Sequence, residues 1–171
     1  MKKIVILFFV FCFVSCKNKE GDLKIIEGIA IGTTFSIRYL DDGDLDFKPK
    51  IDSLIKAINK STSTYIPTSD ISKINRGDTT VVVDAYFEEV FTKSEKIYKE
   101  TSGDFDPTVG ILVNAWGFGP EDAIENLDSV KIKELLNFVG FNKVSLKNRK
   151  VHKLYPEIYF DFNAIGKGYL V

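Results

Sequence analysis

The chain has 171 residues, 44% of them hydrophobic and 27% charged, which is the composition of one ordinary globular domain. Its 23 Lys and Arg nearly balance its 24 Asp and Glu, and a net charge of -1 disfavours binding to nucleic acid. The single His and the two Cys, both within the leader region, exclude Cys-based catalysis and a metal site built on several His. Any metal site must therefore use oxygen ligands, which suit Mg²⁺ or Ca²⁺.

The N-terminus predicts an export leader. A basic start precedes the apolar run Ile4–Val14, which is too short to span a bilayer comfortably. Ser15 stands directly before Cys16, and this resembles a lipobox, in which the cysteine becomes the lipid-modified first residue of the mature chain. We predict a lipoprotein signal peptide over residues 1–15 and a polar tether over residues 16–23, with a plain signal peptide as the alternative. The predicted location is the bacterial cell envelope, lipid-anchored to a membrane, in the periplasm or on the outer face of the inner membrane.

From residue 24 onward the hydrophobic pattern predicts one α+β domain that runs to residue 171. Lys24–Leu40 is predicted to be extended and interrupted at Gly32, where a glycine within a strand pattern suggests a bulge or a close approach to a ligand. Phe47–Lys60 has apolar residues at the spacing of one buried helical stripe. The remaining helices are predicted over 84–100, capped by Asp84, and over 128–139, capped by Asp128 or Ser129. Strands are predicted over 79–83, 143–146, 150–154 and 157–161, the last three forming a meander. Together they predict a mixed or antiparallel sheet packed with helices.

Thr101–Pro120 is the stretch around which the chain is organised. It carries the only Trp, four of the twelve Gly and two of the five Pro, and it is predicted to be neither helix nor strand. Asp104 and Asp106 flank Phe105, so in an extended conformation both carboxylates point one way and the ring points the other. That arrangement suits a planar ring system with polar substituents. The alternative is an Ω-loop whose aromatic side chains cover a core.

Two blocks of this stretch resemble the central signature of the ApbE-type FAD:protein FMN transferases, the thiamine-biosynthesis lipoprotein family. They are Thr101–Gly110 and Leu112–Pro120. Three further blocks agree with the family in order and spacing: Gly32–Ile37, Ser63–Asn75 and Asp161–Tyr169. The resemblance therefore covers nearly all of the chain after its leader.

The resemblance implies an enzyme that transfers the FMN moiety of FAD to a Thr or Ser hydroxyl of a target protein, with Mg²⁺ bound and AMP released. Its partners would be FAD, an acceptor protein and, through the N-terminal lipid, a membrane. Two alternatives stay open. Water could replace the acceptor, which would make the protein an FAD pyrophosphatase that forms FMN and AMP, or the chain could be a non-catalytic flavin-binding envelope lipoprotein.

The resemblance also implies which residues would hold the ligands. The glycine-rich end of the chain would address the pyrophosphate, since backbone N–H groups at a helix start can bind phosphate. The backbone carbonyl of Gly166 would be a Mg²⁺ ligand, whereas no catalytic residue is identified. The expected flavin contacts are Ile31, where relatives often carry Met, and Tyr65, Asp104, Phe105, Asp106, Asn163 and Tyr169.

The end of the chain at Val171 falls within a family motif. By resemblance, we expect the chain to be the N-terminal portion of a flavin transferase, incomplete at its C-terminus. The family's remaining Mg²⁺ ligands, an Asp and a Thr, and a His near the flavin would lie in a second half. Alone, this portion is expected to be inactive, with its leading strand and terminal helix short of packing partners.

Overall fold

The computed structural model of the protein describes residues 21–43 and 45–171. These residues form two small antiparallel sheets and six α-helices, so the α+β prediction is confirmed. The predicted signal peptide and Cys16 lie outside the described residues. Within them, every helix is too short or too polar to cross a membrane.

The chain first forms a hairpin from β1 (Asp22–Ala30) and β2 (Thr33–Asp41). Ala30 pairs with Thr33, so the connection is a tight two-residue turn. Both turn residues have positive φ, 47° at Ile31 and 69° at Gly32, as the turns that suit a hairpin twist require. The predicted extended segment is confirmed, whereas the glycine serves a turn and not a bulge. Since β1 begins at Asp22, the end of the predicted tether belongs to the strand.

The predicted helices form with their predicted caps. Helix α1 (Lys48–Thr62) matches its apolar stripe, and the short α2 (Asp70–Asn75) follows it. At the start of α3 (Ala85–Glu100), the Asp84 side chain accepts a hydrogen bond from the Phe87 amide at 3.0 Å. Such a bond satisfies an amide that has no partner inside the helix.

Helix α5 (Ser129–Leu136) is capped in the same way by Asp128. It ends three residues earlier than predicted. Beyond it the backbone turns more tightly, with the Val139 amide bonded to the Leu136 carbonyl at 3.1 Å.

Two of the predicted strands are confirmed and two are wrong. β3 (Val144–Lys147) and β4 (Lys150–Lys153) pair as a second hairpin. Residues 79–83 do not form a strand in the described structure, and the Val83 amide instead bonds to the Arg149 carbonyl at 2.9 Å. Residues 157–161 contain the buried Ile158 and Phe160, but their one bridge is a parallel contact between Val109 and Tyr159. Alternating burial caused this error, because an extended segment inside a core alternates even without partner strands.

The main core surrounds this extended segment. Aromatic rings dominate it, and the Phe87 and Phe162 rings meet edge to face with centroids 5.4 Å apart. Burying each such ring stabilises the fold by about 1.5–3 kcal/mol. The buried members of the core are Ile71, Ile74, Val83, Phe87, Val90, Phe91, Phe141, Val151, Phe160 and Phe162. The core therefore fixes the segment that leads into the last helix, α6 (Asn163–Leu170).

A lysine ties the same segment to the second hairpin. The Lys153 ammonium donates to the carbonyls of Ile74 at 3.1 Å, Ile158 at 2.9 Å and Pro156 at 2.7 Å. Two of these carbonyls belong to buried residues, which have no easy access to water. The Lys153 side chain thus joins the end of helix α2 to the loop after β4, and it supplies the hydrogen bond of the buried Ile158 carbonyl.

Candidate functional site

A cleft of about 660 Å³ lies where five parts of the chain meet, and we call it the main cleft. This volume is within the usual range of small-molecule sites. Its wall is formed by the hairpin turn, the end of α1, the loop after it, the start of α6 and the stretch Thr101–Pro120, which we call the central segment. The lining residues are Ile31, Gly32, Asn59, Thr62, Ser63, Tyr65, Ile66, Val113, Phe118, Asp161, Phe162, Asn163, Gly166 and Lys167.

The central segment contains a short helix, α4 (Gly110–Ala115), so the prediction that it holds no helix is wrong. The helix ends in a Schellman motif, in which Gly117 adopts φ 78°. The Gly117 amide bonds to the Asn114 carbonyl at 2.8 Å, and the Phe118 amide bonds to the Val113 carbonyl at 2.9 Å. This cap places Val113 and Phe118 together on the cleft wall.

Tyr65 joins the central segment from across the cleft. Its hydroxyl donates to the Phe118 carbonyl at 3.0 Å, a contact between residues 53 positions apart. Trp116 and Phe118 are 51% and 76% exposed, so the alternative in which the aromatic residues of this loop cover a core is wrong for these two. Tyr65 thus lines the main cleft, and its flavin contact stays a prediction.

The hairpin turn brings Ile31 to the same cleft. A β-branched residue with positive φ is strained, at a cost of roughly 1–3 kcal/mol, and such strain is most often kept at functional sites. The Ile31 side chain packs over Gly166, within about 4 Å of the position that a Cβ atom there would take. This contact joins the hairpin to α6.

The start of α6 forms the floor of the cleft. The Asp161 amide donates to the Pro107 carbonyl at 2.8 Å, and the Asp161 carboxylate accepts from the Asn163 amide at 2.7 Å. Residues 163–170 are helical, so the glycine-rich end of the chain lies within α6 itself. The positive end of the helix nevertheless faces the cleft, and the exposed Lys167 adds a cationic side chain to its wall.

A smaller cleft of about 350 Å³ adjoins the main cleft and shares Val113, Asp161 and Asn163 with it; we call it the side cleft. Its other walls include the predicted residues Asp104, Phe105 and Asp106. The two clefts together therefore hold all but one of the predicted site residues.

Asp106 has a structural role in the side cleft. Its carboxylate accepts hydrogen bonds from the Thr108 amide at 2.8 Å, from the Thr108 hydroxyl at 2.6 Å and from the Phe141 amide at 3.0 Å. These bonds join the central segment to a part of the chain 35 residues away. Asp104 is exposed and free of such bonds within the described chain, so it is the carboxylate better placed to meet a ligand.

Tyr169 is the predicted site residue that lines neither cleft. It packs against the main core, and its hydroxyl donates to the Glu89 carboxylate at 2.9 Å. Burial and this hydrogen bond raise the pKa of Tyr169 to about 12. The geometry gives Tyr169 a role in docking α6 onto α3, and its predicted flavin contact has no support from this position.

The oxygen atoms that face the main cleft suit Mg²⁺ in kind but not in number. Asp161, Asn163 and the backbone of Gly166 all line it, and Mg²⁺ prefers such hard oxygen ligands in an octahedral arrangement. Across residues 21–43 and 45–171, no three His, Cys, Asp or Glu side chains lie close enough together to hold a metal ion. Any Mg²⁺ here would take most of its ligands from water and from substrate phosphate.

Several residues that line the main cleft were not predicted from the sequence. Val113 and Phe118 were not predicted because their segment was expected to be irregular. A glycine after a short apolar run, here Gly117, is nevertheless the usual signal of a helix C-cap. Asn59 and Thr62 lie at the end of α1 and line the main cleft. The apolar spacing of this helix predicts only which face is buried, and does not indicate that its end lines a cleft.

Comparisons with known proteins agree with this geometry. A family model described as the ApbE family matches residues 31–171. The FAD:protein FMN transferase of Haemophilus influenzae is 32% identical over 165 residues, which are 89% of this chain and 48% of that protein. The corresponding protein of Vibrio cholerae is also 32% identical, again over 89% of this chain and 48% of its own length.

The solved structure of the flavin transferase ApbE from Vibrio cholerae matches with a TM-score of 0.81 and 29% identity, over 88% of this chain and 51% of that chain. The chain thus spans about half the length of the curated relatives that it matches. Since the family model covers most of the chain, and the blocks that carry the resemblance meet in one cleft, the chain belongs to the ApbE family.

Proposed function

We propose that this chain provides the flavin-binding part of an enzyme that transfers FMN from FAD to a Thr or Ser hydroxyl of an acceptor protein. The observation that carries the proposal is the main cleft, in which Tyr65, the central segment and the start of α6 meet. The relatives named as FAD:protein FMN transferases support it, since they match along nearly the whole described chain.

The proposed reaction is a displacement at phosphorus. The acceptor hydroxyl oxygen forms a bond to the FMN-side phosphorus of the FAD pyrophosphate, the bond from that phosphorus to the bridging oxygen breaks, and AMP leaves with the bridging oxygen. The hydroxyl proton passes to solvent. Such a reaction depends on in-line positioning and on neutralising phosphate charge.

The residues of the cleft suit these tasks. The Tyr65 ring offers a flat face for the isoalloxazine ring, and Asp104 can accept hydrogen bonds from the polar edge of the flavin or from its ribityl chain. The N-terminal end of α6 and the Lys167 ammonium attract the pyrophosphate. We assign no catalytic base.

We also propose that the reaction depends on Mg²⁺, held by the Gly166 carbonyl together with phosphate oxygens and water. Bound there, the ion would neutralise phosphate charge and help to orient the leaving group. Removing divalent cations with a chelator should abolish FMN transfer, and adding Mg²⁺ back should restore it. Full activity in the presence of the chelator would contradict this part of the proposal.

A binding titration tests the core of the proposal. We expect the purified chain to bind FAD in a calorimetric titration, and we expect Tyr65→Ala to weaken binding roughly tenfold through the lost stacking area. Tyr155→Ala is the matched control, because Tyr155 is a part-exposed aromatic residue outside both clefts. Equal FAD affinity in the wild type and Tyr65→Ala would refute the placement of the flavin.

Product analysis separates transfer from hydrolysis. The test uses the complete enzyme, of which this chain is proposed to be the flavin-binding part, because this chain alone is expected to be inactive. Incubation of the complete enzyme with FAD and Mg²⁺ should yield protein-bound FMN and an equal amount of AMP when an acceptor protein is present. Formation of free FMN and AMP without any acceptor would instead establish the pyrophosphatase. Binding of FAD without either product would favour the non-catalytic flavin-binding lipoprotein.

We further propose that Cys16 carries a lipid that anchors the protein in the bacterial envelope, as the basic and apolar leader suggests. Cells that express the full chain should incorporate labelled fatty acid into it, and Cys16→Ala should abolish the label. A mature N-terminus elsewhere than at residue 16 would refute this anchor.

A further inference from the structure

We propose that Phe118 is a ligand-binding residue, and that its ring and the ring of Tyr65 form a clamp for the isoalloxazine ring of the flavin. This inference rests on the proposed function and adds to its binding residues Phe118, which was not among the flavin contacts expected from the sequence. It draws on three features of the structure: the exposure of the ring, the rigidity of its backbone and the hydrogen bond from Tyr65.

The Phe118 ring is exposed to solvent, while the backbone of Phe118 is held in place by hydrogen bonds at its amide and its carbonyl. It is 76% exposed although it lines the main cleft, and neither it nor Tyr65 pairs with another aromatic ring in residues 21–43 and 45–171. Leaving a ring in water forgoes much of the stabilisation that its burial would give. A ligand that covers the ring would recover that stabilisation.

The Schellman motif fixes the Phe118 backbone from one side. Its amide is bonded to the Val113 carbonyl at 2.9 Å. The next residue, Gly119, packs so closely on Asn114 that a Cβ atom at position 119 would lie 1.8 Å from the Asn114 Oδ1 atom. The loop therefore has one packed position on the helix end, and the ring projects from a rigid base.

The hydrogen bond from Tyr65 holds the Phe118 backbone at its carbonyl, opposite the amide that the Schellman motif holds. The Tyr65 hydroxyl is engaged with the Phe118 carbonyl at 3.0 Å, so the useful surface that Tyr65 offers to a ligand is its ring. The same bond sets the spacing between the two aromatic residues. Both residues line the main cleft and both are largely exposed, which is the arrangement that a flat, weakly polar ring system can exploit.

Titration of the full chain with FMN, FAD and AMP tests the clamp. We expect Phe118→Leu to weaken FMN and FAD binding roughly three- to tenfold, and Phe118→Ala to weaken it further, because stacking and then apolar area are lost. AMP affinity should not change. Tyr155→Leu, which removes an aromatic ring outside both clefts, should match the wild type in every titration.

Tyr65→Phe provides a second, milder variant. It keeps the ring and removes only the bond to the Phe118 carbonyl, so we expect a smaller loss, roughly two- to fivefold, in FMN affinity. The fluorescence of Trp116, the only Trp in the chain and two residues before Phe118, should change as well, because the loop loses its tie across the cleft. An unchanged Trp116 signal together with unchanged affinity would overturn the role of the hydrogen bond.

The possible outcomes separate this inference from the proposed function. If the wild type binds neither FMN nor FAD, the proposed function is refuted and the clamp with it. If the wild type binds FAD and both Phe118 variants bind it equally well, only the clamp is refuted. A loss confined to AMP would overturn the assignment to the isoalloxazine ring.

Discussion

Adding a single methyl group at Gly119 should displace the loop that carries Phe118 into the wall of the main cleft. In Gly119→Ala the new Cβ atom would lie 1.8 Å from the Asn114 Oδ1 atom and 2.9 Å from its Cγ atom, whereas ordinary contact begins at 3.4 Å. Relief requires a shift of about 1.6 Å, and the Asn114 side chain has little room because it is only 8% exposed. The displacement therefore falls on the loop that carries the Phe118 carbonyl.

We expect Gly119→Ala to lower the free energy of unfolding by about 1–3 kcal/mol, the usual cost of overpacking. The measurement is urea unfolding followed by the fluorescence of Trp116, together with a titration of FAD. Loss of the hydrogen bond from Tyr65 should weaken FAD binding as well.

A double-mutant cycle gives the decisive control. In Asn114→Ala/Gly119→Ala the clash is removed, so the double variant should recover at least half of the stability lost in Gly119→Ala, an interaction of roughly 0.5–3 kcal/mol. If the two substitutions are simply additive, the contact between Asn114 and Gly119 does not hold the loop, and the reasoning fails.

Three further expectations concern the scaffold around the clefts. Lys153→Met keeps the aliphatic stem but leaves the buried Ile158 carbonyl without a donor, so urea unfolding should show a loss of about 1–3 kcal/mol. Lys150→Met, on the same strand and exposed, should lie within about 0.5 kcal/mol of the wild type. Tyr169 has a folded-state pKa of about 12, above its ordinary value of 10.0, so the stability it contributes is complete below pH 10 and is lost as the pH rises through 12. The stability difference between the wild type and Tyr169→Phe should therefore shrink over that interval, and a difference that stays constant from pH 9 to 12 would contradict it. Asp106→Asn should turn an amide group toward the Phe141 N–H and cost about 1–3 kcal/mol even without FAD, whereas a loss seen only in FAD binding would show that Asp106 acts on the ligand.

Local signals in the sequence were enough for the three longer helices before residue 140 (α1, α3 and α5) and for the extended segment of the first hairpin, but not for the turn at Gly32 or for the short helices α2 and α4. Asp84 and Asp128 cap their helices as predicted, because a short acidic side chain can bond to nearby amides without help from the rest of the fold. The residues 79–83 show the limit of the same reasoning. Their β-branched side chains favour a strand, but the chain offers them a single backbone partner at Arg149.

The candidate site was only partly predictable, because its geometry depends on contacts far apart in sequence. Tyr65 was proposed from its motif, yet nothing local indicates that its hydroxyl bonds to the Phe118 carbonyl 53 residues later. Asp106 was expected to bind flavin, and its bond to the Phe141 amide appears only when a turn 35 residues away folds against it. Motifs locate such residues, whereas tertiary contacts decide which atoms remain free for a ligand.

The parallel bridge between Val109 and Tyr159 should limit how fast the protein folds. Parallel contacts across 50 residues are slow to close, because chain entropy must be lost before they form. Until that contact closes, the start of α6 is not held against the central segment and the main cleft lacks its floor. Capture of a flavin should therefore follow this slow step, so ligand binding would report that the domain has finished folding.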